Sequence, residues 1–367
     1  MKRRFRIDQR RAFSIALCAL LVAALPAGQL VDDRAITIKS PQDIVARRQA
    51  LIEFLWGPQG FPNAKFPSSV AKNIASPVSG LKNLERVDEM HITMDEGKQG
   101  LAYHFVAKRS NGRLVVVHQG HGCTLDDSAT PVGKIYGMQR AINELLTSDF
   151  SVLAVYMPHE IPGDCLGTAR HNSMLAGTST AGSPMRFFLE PVAVCLNYLQ
   201  ARSRADRFPK YREFDIVGFS GGGWTATVYA AIDPRITMSF PVAGSLPLYL
   251  RTGASIGDGE QTLSSFYKIA GYPDLYVMGA YGAGRKQVQI LNRRDSCCFG
   301  EKQHDAAQMG IAWDDAVRGY EARVQNALEH LGRKGSFRVE IDEESTGHMI
   351  SRHAIVDVIL PSLSAPR

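Results

Sequence analysis

Cysteine is sparse in this chain, and its spacing excludes more than its number does. Six cysteines are spread over 367 residues. None stands in the C-x-x-C spacing of a structural zinc site, so no metal and no cofactor is expected. Low-complexity tracts and internal repeats are missing, which rules out solenoid and fibrous architectures. Long apolar runs are missing too. The one sustained run, Ala12 to Ala27, is short for a membrane span. Charge of one sign is also lacking where it would matter. The formal net charge is +6, but Lys2, Arg3, Arg4, Arg6, Arg10 and Arg11 stand against Asp8 alone in the first 27 residues. The remainder is therefore close to neutral and carries no electrostatic footprint for nucleic acid.

What the N-terminus does have is a basic segment, Met1 to Arg11, then the short apolar run closing on Leu25-Pro26-Ala27. This is the pattern of a signal peptide over residues 1–27. Arg10-Arg11-Ala12-Phe13 is similar to a twin-arginine signal. The expectation is an exported protein, periplasmic or secreted, with no stable membrane association after cleavage. Cys123, Cys165, Cys195, Cys297 and Cys298 then remain in an environment that permits disulfides, and their odd number leaves at least one thiol unpaired within a chain.

Hydrophobic periodicity predicts an amphipathic helix over Gln42 to Trp56 and a Pro/Ser/Lys-rich surface connection over Asn63 to Lys82. Strands are expected at Met90–Met94, Leu101–Ala107, Leu114–His118, Val152–Tyr156, Phe214–Val217, Ile236–Val242, Val288–Leu291 and Phe337–Ile341. Helices are expected at Tyr136–Leu146, Met185–Leu199, Gly222–Ile232, Trp313–Leu331 and near Ser351–Leu360. Strands alternating with helices, the middle strands being continuously apolar, predict an α/β domain with a mostly parallel sheet covered on both faces. The early pair predicts antiparallel strands at one edge. Pro158–Ser183 and Gly244–Lys286 interrupt the rhythm as pocket walls or a small cap. His159, Glu160, Asp164 and His171 fall in the first of these and could touch substrate or a metal, but the favoured reading is a solvated loop, so no metal is expected.

One junction stands out. Gly218-Phe219-Ser220-Gly221-Gly222 follows an apolar strand and opens a small-residue helix stopped by Asp233-Pro234. A serine on such a turn is held in a strained backbone conformation with its hydroxyl presented at the sheet edge. The same letters recur at Gly253-Ala254-Ser255-Ile256-Gly257, but Asp258-Gly259-Glu260 after them reads as a turn, so Ser255 is a loop serine.

With this elbow, the chain resembles the α/β-hydrolase superfamily over roughly residues 85–365, leaving residues 28–84 as an N-terminal extension. The resemblance rests on three further features. Val115-Val116-Val117-His118-Gln119-Gly120-His121-Gly122 is a strand entering a glycine-rich turn. Asp295 follows the strand Val288–Leu291, and His348 follows the last strand in Ser345-Thr346-Gly347-His348-Met349. The resemblance implies the triad Ser220, Asp295 and His348, with Asp305, Glu343 and Glu344 as rival acids and His353 structural. It implies an oxyanion hole from the backbone N–H groups of Gly221 and His121, with Gly122 as fallback donor and substrate neighbour and Phe219 as a pocket wall. It also places the ends of two neighbouring strands so that Cys123 and Cys165 could pair, with Cys297 or Cys298 on the acid loop as competing partners for either. The activity implied is that of a serine carboxylic ester hydrolase acting on a small or polymer-borne ester. A peptidase or amidase, or a non-catalytic binding protein on the same scaffold, are the alternatives.

Overall fold

Nine strands form one sheet. They are β1 (Ser69–Ile74), β2 (Leu84–Thr93), β3 (Gln99–Ala107), β4 (Arg113–His118), β5 (Ser151–Val155), β6 (Glu213–Phe219), β7 (Ile236–Val242), β8 (Lys286–Asn292) and β9 (Ser336–Asp342). The computed structural model describes residues 30–127, 136–165, 168–177, 181–252, 256–332 and 334–365, without the side chains of residues 164, 165, 168 and 169. The spatial order is β1-β2-β3-β5-β4-β6-β7-β8-β9. The first three strands are antiparallel, β3 is antiparallel to β5, and every pairing from β5 to β9 is parallel.

Side chains alternate between the faces of a strand. Leu114 and Val116 of β4 therefore join one buried cluster, and Val115 and Val117 join the other. The first face is covered by α1 (Pro41–Trp56), α4 (Glu190–Asp206), α5 (Gly221–Ile232), α6 (Tyr272–Ala280) and α7 (Trp313–His330). The second is covered by α2 (Met138–Thr147) and by the C-terminal turns Ala354–Ile359 and Leu360–Ser364. Helix α3 (Thr168–Ala176) lies in the segment after β5. Among the described residues no helix is long and apolar enough to cross a membrane.

Two segments differ from the sequence expectation. The stretch expected as a surface connection carries β1, which pairs with β2. Its residues are mostly exposed, so an edge strand of this kind shows no alternation to read. Gly244–Lys286 is only partly a wall, because it also contains α6, the helix that connects β7 to β8. Every residue of α6 is buried, and a helix apolar all round has no amphipathic stripe.

Helix α1 is built into the same core. Ser40 caps it in a reciprocal box with Asp43, and Pro41 sits in its first turn, where a missing N–H costs nothing. Ile44, Leu51, Leu55 and Trp56 are buried, and Trp56 Nε1 donates to Glu190 Oε2 at 3.1 Å. Leu55→Ala is therefore expected to destabilise the protein by about 2–5 kcal/mol. Val45→Ala on the exposed face should stay within about 0.5 kcal/mol. Denaturant midpoints at unchanged slope check this; equal effects would mean that α1 is not part of the core.

Candidate active site

Strand β6 turns into α5 at one residue. Ser220 sits between them at φ 55° and ψ −124°, a conformation that costs a non-glycine residue about 1–3 kcal/mol. Its neighbours hold it there. Ser220 N donates to Val242 O at 2.9 Å, and Ser220 O accepts from Gly223 N at 2.8 Å and Trp224 N at 3.1 Å. A Cβ at Gly218 would overlap Gly222 O, and one at Gly222 would overlap His118 O. The glycines of the motif are thus explained by backbone passing over backbone. Ser255 lies outside the described residues.

The turn after β4 is pressed against this elbow. A Cβ on Gly120 would lie 2.6 Å from both Phe219 O and Ser220 Cβ. The Gln119 side chain braces the turn: its Nε2 donates to Thr124 O at 2.6 Å, and its Oε1 accepts from Gly120 N at 3.0 Å. Gly122 N is occupied, donating to Gly120 O at 2.8 Å. Among the described residues the N–H groups of His121 and Gly221 have no internal acceptor, which separates His121 from the fallback Gly122.

Strands β8 and β9 carry the other two residues. Their register pairs Asn292 with Asp342, so the loops beyond them leave side by side. Asp295 is fully buried. Its Oδ2 accepts from His348 Nδ1 at 2.7 Å, and its Oδ1 accepts from Cys297 N at 2.7 Å and Cys298 N at 2.9 Å. Asn292 Nδ2 donates to Gly347 O and Met349 O, at 3.0 and 2.8 Å, and so clamps the histidine loop. The His348 ring packs on Phe219, with centroids 4.6 Å apart. Ser220 Oγ makes no hydrogen bond among the described residues, so the elbow and the Asp295–His348 pair meet through Phe219.

The rival acids are engaged elsewhere. Asp305 caps a short helix by accepting from Gln308 N, and Glu343 pairs with Arg293. Glu344 lies 3.9 Å from His353, which also neighbours Glu340 and Asp357. Phe219 is buried between Tyr136 and His348, and Trp224 is core, donating to the Tyr267 hydroxyl. Cys123 is disulfide-bonded, while Cys195, Cys297 and Cys298 are free thiols. The side chain of Cys165, the expected partner of Cys123, lies outside the described residues.

Sequence reasoning missed the Cys297 and Cys298 amides, Asn292, Gln119 and the surroundings of His121. His121 Nε2 faces His171 Nδ1 at 3.0 Å, so His171 is not in a solvated loop but fully buried. Burial lowers both imidazoles to about 4. Contacts spanning fifty residues leave no local pattern to read.

Cys297 and Cys298 bring their sulfurs to 2.8 Å of each other beside His348. Contact with the second sulfur, and then with His348, draws the Cys297 thiol down, while its neighbour is pushed up. Burial opposes charge on His348, but the hydrogen bond to Asp295 and the proximity of Cys297 outweigh it and raise the imidazole to about 9. A cavity of about 600 Å³, lined by Arg48, Phe61, Phe66, Asn197 and Arg235, opens at the far end of α5, about 18 Å from Ser220 by helix length. It plays no part in this constellation.

No family model and no curated protein matches the chain. Solved structures do. The methylesterase BT1017 superposes with a TM-score of 0.54 at 13% identity, covering 86% of this chain and 62% of that one. Acetyl xylan esterase 1 from Thermoanaerobacterium sp. JW/SL YS485 gives 0.49 at 11% identity, covering 90% and 96%. Acetyl xylan esterase from Paenibacillus sp. R4 gives 0.49 at 12%, covering 93% and 100%. With the strand order and the elbow, the superposition on the methylesterase shows that the chain has the α/β-hydrolase fold.

The charge on His348 can be read directly. Its folded value lies above the ordinary 6.5. The stability it adds is therefore fully present below about pH 6.5 and lost as pH rises through about 9. NMR titration of the His348 ring should show a midpoint near 9, moving down in Cys297→Ala. A midpoint unmoved by that substitution would mean that the thiol does not support the charge.

Proposed function

We propose that the protein is an exported serine hydrolase of carboxylic esters. Ser220 is the nucleophile, His348 the base and Asp295 the residue that orients it. The observation that carries this reading is the Asp295 carboxylate. One oxygen is held by two backbone amides, and the other receives His348 Nδ1–H. That bond fixes the tautomer with Nε2 free to take a proton. The serine hydroxyl loses its proton to Nε2 as it attacks the ester carbon, forming the Oγ–C bond. The N–H groups of Gly221 and His121 receive the charge on the carbonyl oxygen. Collapse expels the alcohol, which takes the proton from His348, and water repeats the cycle on the acyl-enzyme. Each oxyanion donor is worth about 3–4 kcal/mol in known cases.

The reaction needs a neutral imidazole. With His348 raised to about 9, kcat/KM should climb with pH through that value. The fold match to a methylesterase is compatible with an ester substrate, but the reading rests on the site. The N-terminal pattern of residues 1–27 supports export.

A fluorophosphonate probe should label Ser220, and Ser220→Ala should lose both labelling and hydrolysis of a short p-nitrophenyl ester. Asp295→Asn should keep its melting temperature and lose about 10⁴ in turnover, as in the best-known triad. Asp305→Asn and Glu343→Gln should stay within a few-fold of the parent. Full activity in Ser220→Ala, or collapse of a rival variant in place of Asp295→Asn, would overturn the assignment. N-terminal sequencing of the protein from its native host should find residues 1–27 removed; a mature chain starting at Met1 contradicts export by cleavage.

A further inference from the structure

Beside the oxyanion turn is a cluster that the proposed hydrolysis does not use. His121 follows β4, His171 belongs to α3, and Asp258 and Glu260 lie in the segment after β7. His171 is fully buried, and its Nε2 meets Pro158 O at 2.7 Å. A carbonyl only accepts, so Nε2 carries the proton and Nδ1 presents a lone pair. That lone pair faces His121 Nε2 at 3.0 Å. Fixing a ring by hydrogen-bonding its far nitrogen to a carbonyl is how metal-binding histidines are oriented.

The carboxylates complete the set. Asp258 Oδ2 is 3.6 Å and Glu260 Oε1 3.8 Å from His121 Nε2. Glu260 is fully buried, and neither of its oxygens has a hydrogen-bond partner among the described residues. A hydrogen bond between the two imidazoles explains the histidine pair but leaves both Glu260 oxygens unmatched, which is costly for a buried carboxyl. The ligand atoms of His121, His171 and Glu260 all lie within 4.8 Å of one another. Ligands about 2.0–2.1 Å from a tetrahedral zinc stand about 3.3 Å apart, and the His121 Nε2 separations of 3.0 Å to His171 and 3.8 Å to Glu260 bracket that value. Two imidazoles with carboxylates suit a first-row transition cation better than calcium or magnesium, which prefer oxygen alone.

We propose that His121 Nε2, His171 Nδ1 and a Glu260 oxygen bind a divalent transition cation of the zinc class, with Asp258 or water as fourth ligand. The ion is a staple. It ties the turn after β4 to α3 and to the segment after β7, and so holds the His121 backbone in place. The sequence carries no metal spacing because the three ligands come from three segments. The other sulfur- and nitrogen-rich cluster, Cys297, Cys298 and His348, belongs to the triad already described.

The test uses the full chain and needs no turnover. Metal analysis after chelator-free purification should find one equivalent of zinc per chain. Chelator-treated protein should gain melting temperature on adding zinc alone, and cobalt should give the visible bands of a tetrahedral site. His171→Asn and Glu260→Gln should each weaken zinc binding by more than about 100-fold, at or beyond the loss usual for an outer-sphere change. Ser220→Ala and Cys297→Ala should bind as the parent does. No stoichiometric metal and no thermal or spectral response in the parent protein would overturn the proposal. So would zinc binding that survives in both ligand variants but is lost in Cys297→Ala. Because Ser220→Ala retains the site, these results are independent of the hydrolase assignment.

Discussion

Strand β6 reverses into α5 within a single residue, and the surrounding architecture is arranged to hold that reversal. The strain falls on Ser220, whose φ of 55° combines with a ψ of −124°, outside the left-handed well that side-chain-bearing residues can reach. The gain is position, since the hydroxyl stands at the end of the sheet beside the first amides of a helix. Backbone must pass backbone at near contact on three sides, with Gly222 over His118, Gly218 under Gly222, and Gly244 against the Ser220 carbonyl. The conformation persists because Val242 O and the first turn of α5 bind the Ser220 backbone from both sides. Gly120 brings the turn after β4 into the same contact, so the elbow and its opposing amide form one packed unit.

The acid and histidine reach the elbow by a different device. Parallel pairing of β8 with β9 sets their loops side by side, and polar side chains at the strand ends hold the loops. Asn292 takes two carbonyls of the histidine loop. Asp342, its register partner, accepts from Glu344 N and Ser345 N and from the Ser351 hydroxyl. Each is buried at a strand terminus, and each uses its side chain to hold a loop, although Asn292 Oδ1 has no hydrogen-bond partner among the described residues. The Asp295–His348 pair thus depends on two residues whose side chains hold its loops, Asn292 also accepting from Asp295 N through its backbone carbonyl.

The excursions after β5 and β7 also meet at this end of the sheet, where open α/β sheets gather their loops. That convergence puts His171 and Glu260 against His121. It also makes the turn after β4 the meeting place of three segments, and not the tip of one loop.

The sequence by itself determined the strand-to-helix junctions. Apolar runs, the glycines at 218 and 222, and the order Ser220, Asp295, His348 were legible because each is local or depends only on chain order. Nearly every strand was visible for the same reason, since a strand buried on both faces is apolar throughout. Helix α6 and strand β1 were not visible, because one is buried all round and the other is an exposed edge. That His348 meets Asp295, and not Asp305, Glu343 or Glu344, depends on the register of β8 and β9. That the Gly122 amide is taken by Gly120 O, while the His121 amide is left open, was likewise visible only in the folded turn. The surroundings of His121 were decided only by the tertiary structure, because side chains fifty to a hundred and forty residues apart leave no spacing in the chain until the sheet brings their loops to one edge.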